Sequence, residues 1–147
     1  MKTYKTDLER ISLVKEPTNF KRVKITSSDD ANEYVRNVFT NIELFESVGC
    51  LLLNRNNNTI GWVIISQGGV SGTVVDVKII AKYAIEALAS SIILFHNHPS
   101  GNLKPSEQDK ILTKKVKEGL ALLDIILLDH IIITKDSYFS FTNDGIL

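Results

Sequence analysis

The sequence has little of several features that mark particular classes of protein. It contains a single cysteine, Cys50, so no disulfide can form within the chain and nothing requires an oxidising compartment. Glycine and proline number only eight and three, which is too few for a fibrous or low-complexity chain. The expectation that remains is an ordinary globular domain, and 147 residues are enough for one such domain with a buried core.

The sequence also lacks an excess of charge and a long apolar run. Lys and Arg number 17, as do Asp and Glu, so the chain lacks the basic excess that is typical of proteins that grip a phosphate backbone. Residues 1–5 are polar, and no stretch approaches the length of a membrane-spanning helix. We therefore expect a cytoplasmic protein with no membrane anchor, and the charge argues against nucleic acid as a partner.

The apolar pattern predicts that helices alternate with strands. Ser27 precedes apolar residues at helical spacing, which predicts a helix that runs to about Thr40. Residues 49–54 and 59–66 are apolar and flank the asparagine-rich stretch 55–58. This arrangement predicts a β-hairpin, because asparagine tolerates the positive φ of a tight turn.

The second half continues the alternation. Asp76 can cap a helix, and four apolar residues are predicted to lie on one side of that helix: Ile80, Ala84, Ala87 and Leu88. Residues 92–95 read as a buried strand, Glu107 to Leu122 as a helix, and 125–141 as a β-rich tail that turns at 135–137. Helices interleaved with a mixed, partly antiparallel sheet predict an α+β or α/β-like fold with a buried central strand.

The segment "HNHPSGNLKPSEQD", residues 96–109, places two histidines at the end of a predicted strand. Side chains two positions apart in a strand point to the same face, so His96 and His98 can converge on one ion. Downstream, Ser106 and Asp109 form a Ser-x-x-Asp pattern ahead of an apolar run. That pattern is also typical of a helix cap that needs no metal, and on its own it favours the cap.

The position of Asp109 on its predicted helix favours a metal ligand. A turn of about 100° per residue places Leu112, Val116 and Leu120 at about −60°, −20° and +20° from Asp109. Asp109 therefore lies in the middle of the stripe that faces the core, where a carboxylate is unfavourable unless a cation or strong donors meet it. Ser106 falls at about +60°, so its hydroxyl can cap the helix and still lie near the same pocket.

Two imidazoles and one carboxylate, with an open fourth position, form the ligand set of a hydrolytic zinc site. Such a metal lowers the pKa of its bound water toward ~7, and a base must still manage the proton of that water. Glu43 and Glu46 are the upstream candidates for the base. Glu46 shares strand parity with Val48 and Cys50 and approaches the core if they face it. The residues alone leave the choice between the two glutamates open.

The pattern His-x-His-x7-Ser-x2-Asp of residues 96–109, with an upstream glutamate, resembles the JAMM, or MPN-plus, metalloprotease motif. The segments "LLLNRNNNTIGW", "GTVVDV" and "LLDHIII" resemble the RadC-like branch of that family. Glu46 matches the position of the family's glutamate. Five residues at fixed local spacing, in the expected order of elements, make a specific pattern, whereas His-x-His alone would be weak.

The resemblance divides the chain into an N-terminal extension, residues 1–27, and a RadC-like MPN/JAMM domain, residues 28–147, which is about four-fifths of the sequence. Full-length RadC proteins carry a helix-hairpin-helix region before the catalytic domain. Residues 1–27 are too short to hold that region. The resemblance therefore does not by itself carry over the family's historical DNA-repair label, and the neutral charge points the same way.

The resemblance implies a zinc hydrolase with an MPN/JAB-type fold, in which a mixed, partly curled sheet is flanked by helices. His96, His98 and Asp109 would hold the Zn²⁺ ion. Glu46 would act as general base on the zinc-bound water and then donate the proton to the leaving amine. Ser106 would hydrogen-bond the tetrahedral oxyanion or orient the water. The implied substrate is a peptide or isopeptide bond of unknown identity.

Two other functions share parts of this pattern. Two histidines and one carboxylate also form the facial triad of Fe(II) oxygenases, although an oxygenase has no need of Ser106 and Glu46. A non-catalytic or DNA-repair-associated binding module that keeps the metal site is the second alternative. The residues do not reveal the physiological substrate or the oligomeric state.

Three other residues receive structural interpretations. His130 is the third histidine, and we predict a structural, hydrogen-bonded side chain. Asn97 completes an "HNH" triplet, but the nuclease motif of that name spreads its residues over a much longer segment, so the match is accidental. Cys50 lies in an apolar strand and is predicted to serve packing.

Overall fold

The computed structural model describes residues 19, 21–68 and 74–147. Most of the predicted extension, residues 1–27, lies outside the described residues, as does the segment 69–73. The described residues form three helices and five strands. In chain order they are α1 Ser28–Val38, β1 Ser47–Leu53, β2 Thr59–Gln67, α2 Val77–Glu86, β3 Ser91–Asn97, α3 Glu107–Ala121, β4 Ile126–Ile133 and β5 Tyr138–Ser140.

The strands form one mixed sheet in the order β2-β1-β3-β4-β5. β3 and β4 are parallel, and the other neighbouring pairs are antiparallel. β3 lies in the middle, and every one of its residues is buried. The predicted α+β fold with a mixed sheet and a buried central strand is therefore confirmed.

Helices cover both faces of the sheet. The amphipathic helix α1 packs on one face, where Ile93 and Phe95 of β3 belong to its core. α2 and α3 pack on the other face, where Ile92 and Leu94 belong to a second core. Because side chains alternate along a strand, the residues at the end of β3 continue this alternation toward opposite faces. Each fully buried Leu, Ile or Phe contributes about 1.5–3 kcal/mol of transfer free energy to such cores.

The predicted helix caps and the predicted hairpin turn are present in the structure. The side chains of Ser27, Asp76 and Ser106 accept hydrogen bonds from the first turns of α1, α2 and α3, which satisfies amide groups that have no partner within the helix. Asn57 has a φ of 58° in the hairpin turn between β1 and β2, as expected for asparagine. α1 ends at Val38, short of the predicted end at Thr40.

The prediction for Leu88 is wrong. Ile80 and Ala84 are fully buried, but Leu88 is 85% exposed. α2 ends at Glu86, and Leu88 takes a left-handed φ of 53°, which allows the N–H of Ala89 to donate back to the carbonyl of Ala84 at 2.9 Å. Leu88 therefore leaves the helical periodicity at the C-terminal end, and its side chain faces solvent.

Candidate metal centre

Four candidate functional side chains meet at the end of β3. The ligand atoms of Glu46, His96, His98 and Asp109 all lie within 4.8 Å of one another. His96 is the penultimate residue of β3, and His98 follows the strand, so the two rings point to the same face. α3 supplies Asp109 from its first turn, and the segment before β1 supplies Glu46.

The spacing within this group resembles that of metal ligands. Nε2 of His96 lies 2.8 Å from Nε2 of His98 and 3.3 Å from Oδ1 of Asp109. Nε2 of His98 lies 3.6 Å from Oδ2 of Asp109. Ligand atoms about 2.0–2.2 Å from one tetrahedral ion lie roughly 3.3–3.6 Å from each other. The two distances to Asp109 fit this range, whereas the two Nε2 atoms lie at hydrogen-bond distance and would separate slightly to hold an ion. The group is therefore compatible with a metal site.

Asp109 takes part both in a helix cap and in the candidate metal group, which the sequence presented as alternatives. Its Oδ2 accepts a hydrogen bond from the backbone N–H of Ser106 at 2.7 Å, and Oγ of Ser106 accepts one from the N–H of Asp109 at 3.0 Å. These reciprocal bonds form a capping box. The same carboxylate faces both histidines, so the cap holds Asp109 in the orientation that a ligand needs.

Electrostatic interactions favour a negative charge on Asp109. Burial raises the pKa of Asp109, but hydrogen bonds from His96 and His98 outweigh this effect and bring its pKa well below the usual range. The hydrogen bond with Asp109 in turn raises the pKa of His98. The carboxylate is therefore ionised at neutral pH, as a metal ligand must be.

The donor set of the group fits zinc. Nδ1 of His98 lies 2.5 Å from the backbone oxygen of Asn102. Because a carbonyl oxygen only accepts, Nδ1 carries a hydrogen, so Nε2 is the ring atom that is free of hydrogen, and able to bind an ion, when the ring is neutral. Neutral imidazole nitrogen and ionised carboxylate oxygen are both zinc ligands.

The two candidate glutamates lie in different places. Glu43 is exposed, and its Oε1 lies 3.4 Å from Nζ of Lys135, whereas Glu46 belongs to the four-residue group. The antiparallel register explains this placement, since Val48 pairs with His96, and an extension of two residues brings Glu46 opposite His98. The strand parity noted in the sequence thus points Glu46 toward the histidines.

Sequence reasoning missed the role of Asn97. This side chain is fully buried; its Oδ1 accepts from the N–H of Ser47 at 2.8 Å, and its Nδ2 donates to the carbonyls of Ile42 and Phe45, both at 2.7 Å. Asn97 thereby anchors the segment that carries Glu46. The available signal was a polar residue at the end of an otherwise apolar strand.

His130 is a buried, hydrogen-bonded histidine, as predicted, but its partners were not foreseen. Its Nε2 lies 2.7 Å from Nδ1 of His96, and its Nδ1 lies 2.6 Å from Oγ1 of Thr113. The ring stacks on Phe141 with centroids 4.6 Å apart. Burial holds the pKa of His130 well below its usual value, so the ring is neutral at neutral pH.

A cleft of about 870 Å³ opens beside the four-residue group. The polar side chains that line it include Glu46, His98, Ser106 and Asp109. Exposed apolar side chains form much of the remaining wall: Leu44, Phe45, Val74 and Ile111. His98 and Asp109 therefore face a cleft that opens to solvent, whereas His96 lies buried behind them.

Comparisons with known proteins agree with this geometry. A family model described as RadC-like JAB domain matches residues 25–146. A UPF0758 protein of Flavobacterium johnsoniae is 44% identical over 123 residues, which cover 84% of this chain and 53% of the relative. A UPF0758 protein of Porphyromonas gingivalis is 44% identical over 128 residues, which cover 86% of this chain and 56% of the relative.

A third relative, UPF0758 protein FN0909 of Fusobacterium nucleatum, is 37% identical over 144 residues, or 98% of this chain and 60% of the relative. The chain thus spans a little over half the length of the curated relatives that it matches. Among the residues that the structure describes, no helix is long and apolar enough to cross a membrane.

Proposed function

The chain belongs to the family of RadC-like JAB domains, and on that premise we propose that it is a zinc-dependent hydrolase of peptide or isopeptide bonds. The observation that carries the proposal is the convergence of Glu46, His96, His98 and Asp109, whose ligand atoms lie within 4.8 Å of one another. In this proposal the two histidines and the aspartate hold the metal, and the glutamate accepts and then donates a proton.

A bound zinc ion would supply Lewis acidity that polarises the substrate carbonyl and acidifies a coordinated water. Glu46 accepts a proton from the attacking water and returns it to the leaving nitrogen, as a general base and then a general acid. Its place opposite His98 at the end of β1 supports this role, because a base must lie within hydrogen-bond reach of the reacting water.

Ser106 is suited to stabilise the oxyanion. Its Oγ accepts the N–H of Asp109 through a lone pair, which leaves the hydroxyl hydrogen available for another partner. Ser106 lines the cleft together with Glu46. A fixed donor aimed at developing negative charge typically contributes a factor of about 10²–10³ in kcat.

The substrate proposal rests on the cleft. Its lining combines exposed apolar side chains with the polar groups of the candidate centre, which suits a polypeptide segment that buries side chains and presents one amide bond to the centre. The loop 101–105 borders this opening, so its conformation contributes to the choice of substrate.

The test combines metal analysis with activity. Protein purified without added metal is expected to carry zinc, and crystals soaked in Zn²⁺ are expected to show His96, His98 and Asp109 at about 2.0–2.2 Å from one ion. Activity is measured on a mixture of peptides and on isopeptide-linked conjugates. Stoichiometric iron with little zinc would favour an oxygenase and contradict the proposal.

The two glutamates provide a matched pair of variants. Glu46→Gln is expected to abolish hydrolysis while zinc binding persists, because the amide cannot accept the proton. Glu43→Gln is expected to retain hydrolysis, because Glu43 pairs with Lys135 at the surface. If Glu46→Gln leaves activity and cellular phenotype unchanged while His96→Ala abolishes folding, the chain is a non-catalytic binding module that keeps its metal.

A further inference from the structure

We propose that His130 and Thr113 are positioning residues that fix which nitrogen of His96 is free to bind a metal. The inference rests on the proposed metal site, but it concerns atoms outside the ligand set. A line of hydrogen bonds runs from Nδ1 of His96 through both residues to the backbone of Asp109. In each of these hydrogen bonds, only one of the two atoms can be the donor, and we call this the direction of the bond.

The direction is set at the Thr113 end. Oγ1 of Thr113 lies 2.7 Å from the backbone oxygen of Asp109. A carbonyl oxygen cannot donate, and two oxygens with only lone pairs between them would repel at this distance, so the hydroxyl donates its single hydrogen there. Toward its other partner, His130, the hydroxyl oxygen can therefore only accept.

The hydroxyl of Thr113 determines which ring nitrogen of His130 carries the hydrogen. Nδ1 of His130, 2.6 Å from Oγ1 of Thr113, must carry the ring hydrogen. The ring is fully buried and neither of its hydrogen-bond partners is a carboxylate, so it holds one hydrogen and its Nε2 is an acceptor. Nδ1 of His96, 2.7 Å away, must therefore donate, and Nε2 of His96 is left with a lone pair, which in the metal-free protein accepts from Nε2 of His98, 2.8 Å away.

This line of hydrogen bonds, which we call the relay, joins His96 to Asp109 through atoms outside the candidate ligand set. With the opposite direction, Nε2 of His96 would carry a hydrogen and could not coordinate an ion. Metal-binding histidines usually donate their second ring N–H to an outer partner, whose loss typically costs about 10–100-fold in metal affinity. Here that partner is another histidine, whose own direction is set by a threonine on the helix that supplies Asp109.

Burial keeps the relay fixed. His96 and His130 are 1% and 0% exposed, and Thr113 is 3% exposed, so solvent does not compete for these hydrogen bonds. The ring of His130 lies between His96, at a centroid distance of 4.8 Å, and Phe141, at 4.6 Å. This packing limits rotation of the ring and favours a single arrangement of the donors.

The decisive comparison is Thr113→Val with Thr113→Ser. Valine has nearly the shape of threonine but no acceptor for Nδ1 of His130, whereas serine keeps the hydroxyl. Zinc affinity is measured by competition with a chromophoric chelator. Thr113→Val is expected to bind zinc about 10–100-fold more weakly, and Thr113→Ser close to the wild type. Equal affinity in the two variants, with thermal unfolding of the metal-free proteins unchanged, would overturn the proposal.

A spectroscopic measurement tests the relay without zinc. In the metal-free wild type, nitrogen-15 NMR of the imidazole rings is expected to show hydrogen on Nδ1 of both His96 and His130. Hydrogen on Nε2 of His96 would overturn the relay, whatever the protein's activity. Failure of the wild type to bind zinc, together with the expected tautomers, would instead contradict the proposed function alone.

Substitution of His130 provides a second pair in case Thr113→Val does not fold. In His130→Gln the amide oxygen can still accept from Nδ1 of His96, whereas His130→Leu has no acceptor. Zinc affinity is expected to fall further in His130→Leu than in His130→Gln. The opposite order in folded proteins would contradict the role given to His130.

Discussion

At the scale of single residues, Gly49 shows how closely the central strands are packed. Gly49 of β1 pairs with Phe95 of β3, and a Cβ atom at position 49 would overlap the Phe95 ring. That ring is fully buried and lies 5.9 Å from the ring of Phe39. The absence of a side chain at Gly49 is therefore required for packing.

Gly49→Ala is expected to lower the free energy of unfolding by about 1–3 kcal/mol, since the buried ring must move. The control is Gly61→Ala in β2, where nothing lies within 4 Å of the added atom. That change is expected to be neutral or to stabilise by about 0.5–1 kcal/mol. Denaturant unfolding of the metal-free proteins measures both, and equal effects would contradict the packing role of Gly49.

Asn97→Leu is expected to destabilise by about 3 kcal/mol, because the buried amide of Ser47 and two part-buried carbonyls lose their partners. Hydrogen exchange at the Ser47 amide is expected to become faster, since Asn97 accepts its hydrogen bond. Asn56→Ala, at an exposed position of the hairpin turn, serves as the control with an effect within about 0.5 kcal/mol. Unchanged protection of Ser47 would contradict the anchor.

These residues show where sequence reasoning reaches its limit. The histidine pair and Asp109 are close in sequence, so local spacing indicated that they meet. Asn97 and His130 act across 50 and 34 positions respectively, through the pairing of β3 with β1 and β4. Strand order and register determine those contacts, and neither follows from the local pattern of apolar residues.

At the scale of elements, the start of α3 serves both folding and the candidate site. Ser106 caps the helix, and the capping box orients Asp109 toward the histidines. Helix formation and alignment of the ligand therefore depend on the same two side chains.

Ser106→Gly separates the two roles. Glycine is a tolerable N-cap, so stability is expected to fall by only a few tenths of a kcal/mol, whereas loss of the hydroxyl is expected to lower kcat by about 10²–10³. Ser106→Thr keeps both the cap and the donor and is expected to retain most of the activity. An unchanged kcat in Ser106→Gly would limit Ser106 to its capping role.

Element boundaries were predictable where the signal is local. The caps at Ser27, Asp76 and Ser106 follow from side chains that accept from the backbone within the same turn. The prediction for Leu88 was wrong because the helical spacing of apolar residues in the sequence continues past the residue at which the helix ends. The residue that follows α2 in the left-handed conformation is a leucine, and the sequence does not indicate that conformation because the residue is not glycine.

At the scale of the whole molecule, the balance of positive and negative charge argues against binding to nucleic acid. The formal net charge is zero, and a protein that neutralises several phosphates needs a cluster of basic groups. This chain is expected to show no appreciable binding to duplex DNA at about 0.15 M salt. Fluorescence anisotropy across a salt series tests this, and affinity that falls steeply with salt would contradict it.

The alternation of β3 also limits how the chain can vary in length. His96 faces the side of the sheet that holds α3, while Asn97 reaches the segment before β1. One residue inserted within β3 would turn each of these side chains to the opposite face, because a strand repeats every two residues. The loop between β3 and α3 is also constrained, because it carries His98 and sets the seven-residue spacing to Ser106. Insertions and deletions in homologous chains are therefore expected to collect in the turn between β1 and β2, at the opposite end of β1 from Glu46, where a change of length leaves the centre intact.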